Sequence, residues 1–171
     1  MKLRKLEHKD ADVMMEWMHN PEVIKNMQKD FSSMTINDCL EFIEASYCTD
    51  ENIHLAIADD KDEYMGTVSL KHISKENAEF AIVVRKSAMG KGYSEFGMHE
   101  IIRIGFEKMG LNIIYWCVNP DNFRAIAFYD KNGYQRISLK DSDILKYILQ
   151  KDYYKKEQID SYYWYAVHRS F

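Results

Sequence analysis

Hydrophobic and polar positions alternate between two periods along the chain. Residues 2–6 read as a short strand. Ala11, Met14, Met15 and Met18 then recur at the i, i+3, i+4, i+7 spacing of one helical face. Asp10 stands where it would cap that helix, which stops before Pro21. Thr35, followed by Ile36, Leu40 and Ile43, predicts a second capped helix. Residues 53–58 and 65–70 read as strands joined by the acidic turn Asp59-Asp60-Lys61-Asp62, and 78–85 as a further strand.

Beyond Gly90-Lys91-Gly92, the residues Met98, Ile101, Ile102, Gly105 and Met109 share one face of a long helix that ends near Gly110. A strand at 112–118 follows, then a helix at 122–131 broken by Gly133, a strand at 134–138, a mixed connection and an aromatic strand at 162–167. This order makes the chain α/β (α+β). Two helices before a run of strands, then strand–helix–strand–helix–strand, predict a mixed sheet with helices on both faces rather than a uniformly parallel one.

Composition narrows the function classes. With 171 residues, 46% of them hydrophobic, the chain has the length and apolar content of one globular domain spanning 1–171. Its two prolines and seven glycines form no linker. The net charge of −4 argues against nucleic acid as the main partner. No apolar run reaches the roughly 18 residues of a membrane span, and Met1-Lys2-Leu3-Arg4 leads into polar sequence, so the expected setting is cytoplasmic with no membrane partner. Cys39, Cys48 and Cys117 are odd in number without CxxC spacing and read as reduced structural residues. His19, His54, His72 and His99 follow no ligand spacing, and no metal is expected.

Two segments carry candidate chemistry. In the first, Ala78-Glu79-Phe80-Ala81-Ile82-Val83-Val84 runs into Met89-Gly90-Lys91-Gly92-Tyr93-Ser94 and directly into a helix. A strand, glycine loop and helix start present unpaired N–H groups and the positive end of the helix dipole, which suits a pyrophosphate. Neither the Walker nor the Gly-x-Gly-x-x-Gly spacing is met, and an ordinary turn remains an alternative. The second segment, from Val118-Asn119-Pro120-Asp121-Asn122 through Tyr129 to Gly133-Tyr134, is a strand end, a polar turn and a short amphipathic helix.

Together the two segments resemble the GNAT family of acyl-CoA-dependent N-acetyltransferases, whose pyrophosphate motif the first matches and whose Asn…Tyr helix the second matches. The likeness runs from Leu3-Arg4-Lys5-Leu6 through Asn20-Pro21-Glu22-Val23 to the C-terminal strand, and within the family is nearest the Rim-type branch. It implies a mixed, mostly antiparallel, splayed sheet in which strands 78–84 and 112–118 diverge around the pantetheine of acetyl-CoA. Ile82, Val83 and Val84 would pair their backbone with that arm. Met89, Gly90, Lys91, Gly92, Tyr93 and Ser94 would wrap the pyrophosphate, and Asn122 would contact the cofactor or cap its helix. Two positions depart from the family's Arg/Gln-x-x-Gly-x-Gly/Ala pattern. Met89 stands first and Ser94 last, with Lys91 and Ser87 nearby to compensate in part.

The reaction needs a neutral amine to attack a thioester and the departing thiolate to be protonated. By the resemblance Tyr129 is the general acid; its bland alternative is a core aromatic. Glu79 matches the family's general base, and the same carboxylate could instead bind a cationic substrate or simply be solvated. Backbone N–H groups near Val83 would serve the oxyanion. Trp17 and the turn after it, within 17–31, resemble the acceptor-side loop, with core packing as the alternative for the aromatic residues. The expectation is direct acetyl transfer in a ternary complex to a small-molecule or nucleotide-linked aminosugar amine. Protein N-termini or polyamines are the alternatives, and a degenerate CoA-binding domain is the non-enzymatic one. The resemblance also implies a homodimer through the C-terminal strands.

Overall fold

Seven strands form one sheet in a computed structural model that describes residues 1–27, 29–47, 50–151 and 153–169. They are β1 (Lys2–Lys5), β2 (Ile53–Ala58), β3 (Tyr64–Lys71), β4 (Asn77–Val84), β5 (Ile113–Val118), β6 (Arg136–Ile137) and β7 (Tyr163–His168). Cys48, and Gln28 within the expected acceptor segment, lie outside the described residues. The strand order is β1-β2-β3-β4-β5-β7-β6, antiparallel throughout except for the parallel pair β4/β5. The expected mixed, mostly antiparallel sheet with helices on both faces is the architecture found.

Helices cover the sheet as the apolar periods require. On one face α4 (Tyr93–Arg103) and α5 (Phe123–Lys131) pack Met98, Ile101 and Tyr129 on Val68, Leu70, Phe80 and Trp116. On the other, α1 (Ala11–Met18) and α3 (Ile36–Ala45) bury Met14, Trp17 and Ile43 against Leu6, Ala56 and Tyr64. Farther along that face α6 (Ile144–Lys151) packs Ile144 and Ile148 on Tyr115 and Trp164. Cys39 is buried between α1 and α3 with its Sγ 3.3 Å from Met15 Sδ and 3.4 Å from Met18 Sδ.

Several boundaries differ from the sequence reading for local reasons. Asp10 does not cap α1. Its carboxylate turns back to accept Glu7 N–H at 2.9 Å and the Arg4 guanidinium at 2.7 and 2.8 Å, closing a 3-10 turn at His8–Asp10. α1 ends at Met18, before Pro21 as expected, and Pro21 itself opens α2 (Pro21–Ile24), where its missing N–H costs no helical bond and Asn20 Oδ1 accepts from Glu22 N–H. The long helix stops at Arg103 and continues as a π turn, Ile104–Lys108. There Gly105 lets the backbone approach so closely that a Cβ would lie 2.7 Å from Ile114 Cδ1. Strand 134–138 shortens to β6, and the mixed connection contains α6 and α7 (Lys156–Ser161).

Candidate active site

The parallel pair β4/β5 holds register for three rungs, Asn77–Ile113, Ala78–Ile114 and Glu79–Tyr115, and then separates. Past that point β4 still pairs with β3, from Phe80–Leu70 to Val84–Gly66, while its edge toward β5 has no strand partner. Exposure follows: Phe80 and Val84 are buried, whereas Ala81, Ile82 and Val83 between them are half-buried although the strand is central in the sheet. Arg85 N–H bonds Met65 O, so by alternation Val83 also turns its backbone groups to β3 while those of Ile82 and Val84 face the open edge, which suits an extended ligand that carries amides of its own. Gly66 is what lets β3 and β4 run so close there, because a Cβ on it would lie 2.4 Å from the Val83 carbonyl oxygen.

β4 leads through a 3-10 turn, Lys86–Ala88, into Met89 and the glycine loop. Gly90 and Gly92 have φ of +73° and +84°, a left-handed region that L side chains resist, and Gly92 is the N-cap of α4. The first hydrogen bond of α4 runs from Phe96 N–H to Gly92 O, so the N–H groups of Tyr93, Ser94 and Glu95 precede any acceptor inside the helix. These donors at the positive end of an 11-residue helix, beside the open edge of β4, fit a phosphorylated ligand with an amide-bearing arm.

Tyr129 lies at the fork. Asn122 Oδ1 accepts Ala125 N–H at 3.2 Å and so starts α5, which carries Tyr129 two turns later. The Tyr129 ring lies 5.2 Å from Trp116 and 5.2 Å from Tyr165, and Trp116 in turn meets Phe80 at 5.4 Å. Phe80 and Trp116 are the residues that follow the last paired rung, so the phenol packs on the divergence itself. Burial, and then the neighbouring Tyr165 and Tyr134, push its pKa well above the ordinary phenol value. Its hydroxyl makes no hydrogen bond among the described residues. The buried indole N–H of Trp116 also has no acceptor among the described residues.

Glu79 points to the opposite face. Its Oε1 accepts Lys71 Nζ at 3.0 Å, and its Oε2 accepts the Tyr154 hydroxyl at 2.5 Å with His72 Nε2 at 3.5 Å. The carboxylate is buried at 8% exposure and is therefore paired rather than free. Burial, followed by the Glu79 charge, raises the pKa of Tyr154, and burial raises that of Tyr115 to about 12. His72 adopts φ +52° and stacks on Tyr153 at 3.7 Å. The link from these partners to Glu79 was not read from the sequence. The adjacent Lys71-His72 at the end of a strand facing Glu79 was the one available signal.

Trp17 is in the core at 3% exposure, its indole N–H bonded to the Tyr64 hydroxyl at 3.1 Å and its ring edge-on to Phe31 at 5.2 Å. It underlies the segment after α1 rather than presenting a face to solvent. Met89 is half-buried between the cores of both sheet faces, and Arg124 Nη1 from α5 rests 2.7 Å from its sulfur. Arg124 was not anticipated.

Comparisons with known proteins agree with this geometry. The family profile described as "Acetyltransferase (GNAT) domain" matches residues 1–135. The uncharacterized N-acetyltransferase p20 of Bacillus licheniformis is 30% identical over 142 residues, covering 80% of each chain. Acetyltransferase PseH of Campylobacter jejuni is 21% identical over 147 residues, 81% of this chain and 90% of its own. The PseH crystal structure in complex with acetyl coenzyme A matches with a TM-score of 0.66 at 18% identity, covering 99% of both chains. The spermidine N-acetyltransferase from Vibrio cholerae, in complex with CoA and spermine, matches with a TM-score of 0.76 at 16% identity, covering 98% of this chain and 94% of its own.

Proposed function

The chain belongs to the GNAT acetyltransferase family and is an N-acetyltransferase, and from that premise we propose that it moves the acetyl group of acetyl-CoA directly to the amine of a small molecule or nucleotide-linked aminosugar. The observation that carries the donor assignment is the opening of β4 from β5 after the Glu79–Tyr115 rung, with Tyr129 packed on the opening and the glycine loop at its end.

In this reading Met89, Gly90, Lys91, Gly92, Tyr93 and Ser94 surround the pyrophosphate, Ile82 and Val84, on either side of Val83, offer backbone to the pantetheine, and Asn122 shapes that wall by capping α5. Acetyl-CoA supplies an activated thioester. A backbone N–H near Val83 stabilises the developing oxyanion. The Tyr129 phenol, a neutral acid at physiological pH, donates to the departing sulfur. Glu79 takes the acceptor's ammonium proton through water. Its two oxygens offer about four lone-pair sites, so the Lys71 and Tyr154 bonds leave room for that relay. Trp17 supports the acceptor segment from beneath. The likeness to the Rim-type branch and its dimer through the C-terminal strands belong to the same proposal.

The acceptor class is argued from charge. A polyamine needs several unneutralised carboxylates around its path. Here Glu79 is paired with Lys71, Glu63 with Arg85 at 2.6 Å, Glu16 with Arg85, and Glu22 with Lys86 at 2.6 Å. The exposed Tyr153, stacked on His72, instead offers an aromatic surface to a ring.

The test is thiol release from acetyl-CoA with aminosugar nucleotides, N-terminal peptides and polyamines as acceptors. Turnover with the aminosugar panel alone is expected. Turnover confined to peptides or polyamines overturns the acceptor class, and failure of the folded protein to bind acetyl-CoA overturns the donor.

A further inference from the structure

The loop that cradles phosphate in this fold has lost its first polar side chain to Met89, yet the seam around it holds a guanidinium from elsewhere. Arg124, on the first turn of α5, is exposed, and its Nη1 lies 2.7 Å from Met89 Sδ. A thioether is a weak acceptor, so that contact leaves nearly all of the donor capacity of a five-donor cation unused. Among the described residues no carboxylate forms an ion pair with Arg124. Glu22, whose pKa is lowered mainly by Lys86 and only slightly by Arg124, spends its charge on the lysine. The Met89 side chain is anchored between two apolar cores, so its contact with Arg124 puts the guanidinium beside the head of the loop.

We infer that Arg124 is the pyrophosphate-binding side chain of this protein, reaching across from α5 to supply the charge that Met89 lacks at the head of the loop. This rests on the acetyl-CoA reading above and assigns a residue to it. A guanidinium fork can donate two parallel hydrogen bonds to one phosphate, whereas the loop's backbone N–H groups donate one each. Arg124 and α4's first turn therefore address the diphosphate from two sides. The methionine also explains the register: an arginine at position 89 would compete with Arg124 for the same space.

The experiment is calorimetric titration of the parent, Arg124→Gln and Met89→Arg/Arg124→Gln with CoA, with dephospho-CoA, which lacks the 3′-phosphate, and with pantetheine, which lacks every phosphate. Arg124→Gln is expected to weaken CoA and dephospho-CoA alike by about 10- to 100-fold and to leave pantetheine unchanged, with the double variant recovering most of the loss. Because Arg124 is exposed, the single variant keeps its fold, checked by an unchanged unfolding midpoint. If the loss vanishes with dephospho-CoA, Arg124 serves the 3′-phosphate and the assignment is wrong. It is equally wrong if the parent binds CoA and Arg124→Gln binds it as well. A parent that binds no CoA at all overturns the donor reading itself, and this assignment falls with it.

Discussion

Glu79 and Tyr115 form the last rung shared by β4 and β5, and their side chains lie on the face away from Tyr129. One residue further along each strand, Phe80 and Trp116 turn to the α5 face and carry the phenol. The fork therefore separates two chemistries by strand alternation alone: a carboxylate with cationic and phenolic partners on one side, and a phenol in an apolar aromatic pocket on the other.

If Tyr129 serves the departing sulfur, Tyr129→Phe removes one oxygen that makes no hydrogen bond among the described residues. Turnover is expected to fall by about 100-fold, the lower end of general-acid effects. The unfolding midpoint and the affinity for CoA should stay at parent values, because the ring contacts with Trp116 and Tyr165 persist. An unchanged rate assigns Tyr129 to packing.

Much of this arrangement was legible in the sequence where local rules act alone. Residues 53–58 alternate and became β2 without change, and the Thr35/Asp38 capping box started α3 at Ile36 as read. The glycine loop with α4, and Asn122 with α5, were legible as motifs. What escaped was tertiary in origin. Asp10 looked like a cap because nothing in the sequence shows that Arg4, six residues earlier, comes to its oxygens. α1 stopped before Pro21 as read, and what went unread is that the same proline, preceded by the Asn20 cap, opens α2. The partners of Glu79 come from residues 71, 72 and 154, and Arg124 meets Met89 from 35 positions away.

Lys71 and Glu79 test whether the carboxylate is chemical or structural. Glu79→Gln leaves the Lys71 ammonium without its counter-charge and is expected to cost about 1–3 kcal/mol of stability, measured by urea unfolding. Adding Lys71→Met should return most of that stability by removing the stranded charge. Turnover behaves differently if Glu79 receives the proton: it falls by about 100-fold or more in the single variant and stays low in the double. Recovery of turnover together with stability would make Glu79 a structural partner of Lys71.

His54 predicts an acid-sensitive fold. Its Nδ1 lies 2.8 Å from Ser69 Oγ and its ring meets Phe42 edge-on at 4.9 Å. Burial, with a smaller contribution from Lys71, lowers its pKa from 6.5 to about 4. The folded state therefore keeps the ring neutral where the unfolded chain takes up a proton. Its contribution to stability is complete above pH 6.5 and is lost progressively as pH falls from 6.5 towards about 4. Urea midpoints measured from pH 7 to pH 4.5 should drop more steeply for the parent than for His54→Gln, and parallel profiles would remove His54 from the acid response.

Gly66 separates the geometry of the cleft from the stability of the sheet. A Cβ at this position would meet Val83 O at 2.4 Å, Val84 Cγ1 at 2.8 Å and Val84 Cα at 2.9 Å, and two of the three are backbone atoms of β4. They cannot rotate away, so Gly66→Ala must push the 83–84 edge toward the side where β5 has already departed. The expected stability loss is about 1–3 kcal/mol, as for other overpacked sites. Affinity for CoA should fall with it, because the displaced edge is the one proposed to pair with pantetheine. Gly133→Ala is the control: its Cβ meets nothing within 4 Å, but φ of +77° strains it, so it should cost about 1–2 kcal/mol while CoA affinity stays intact. Equal stability losses with unequal CoA affinity would locate the pantetheine arm along β4; equal affinity in both variants would move that arm off the Val83–Val84 edge.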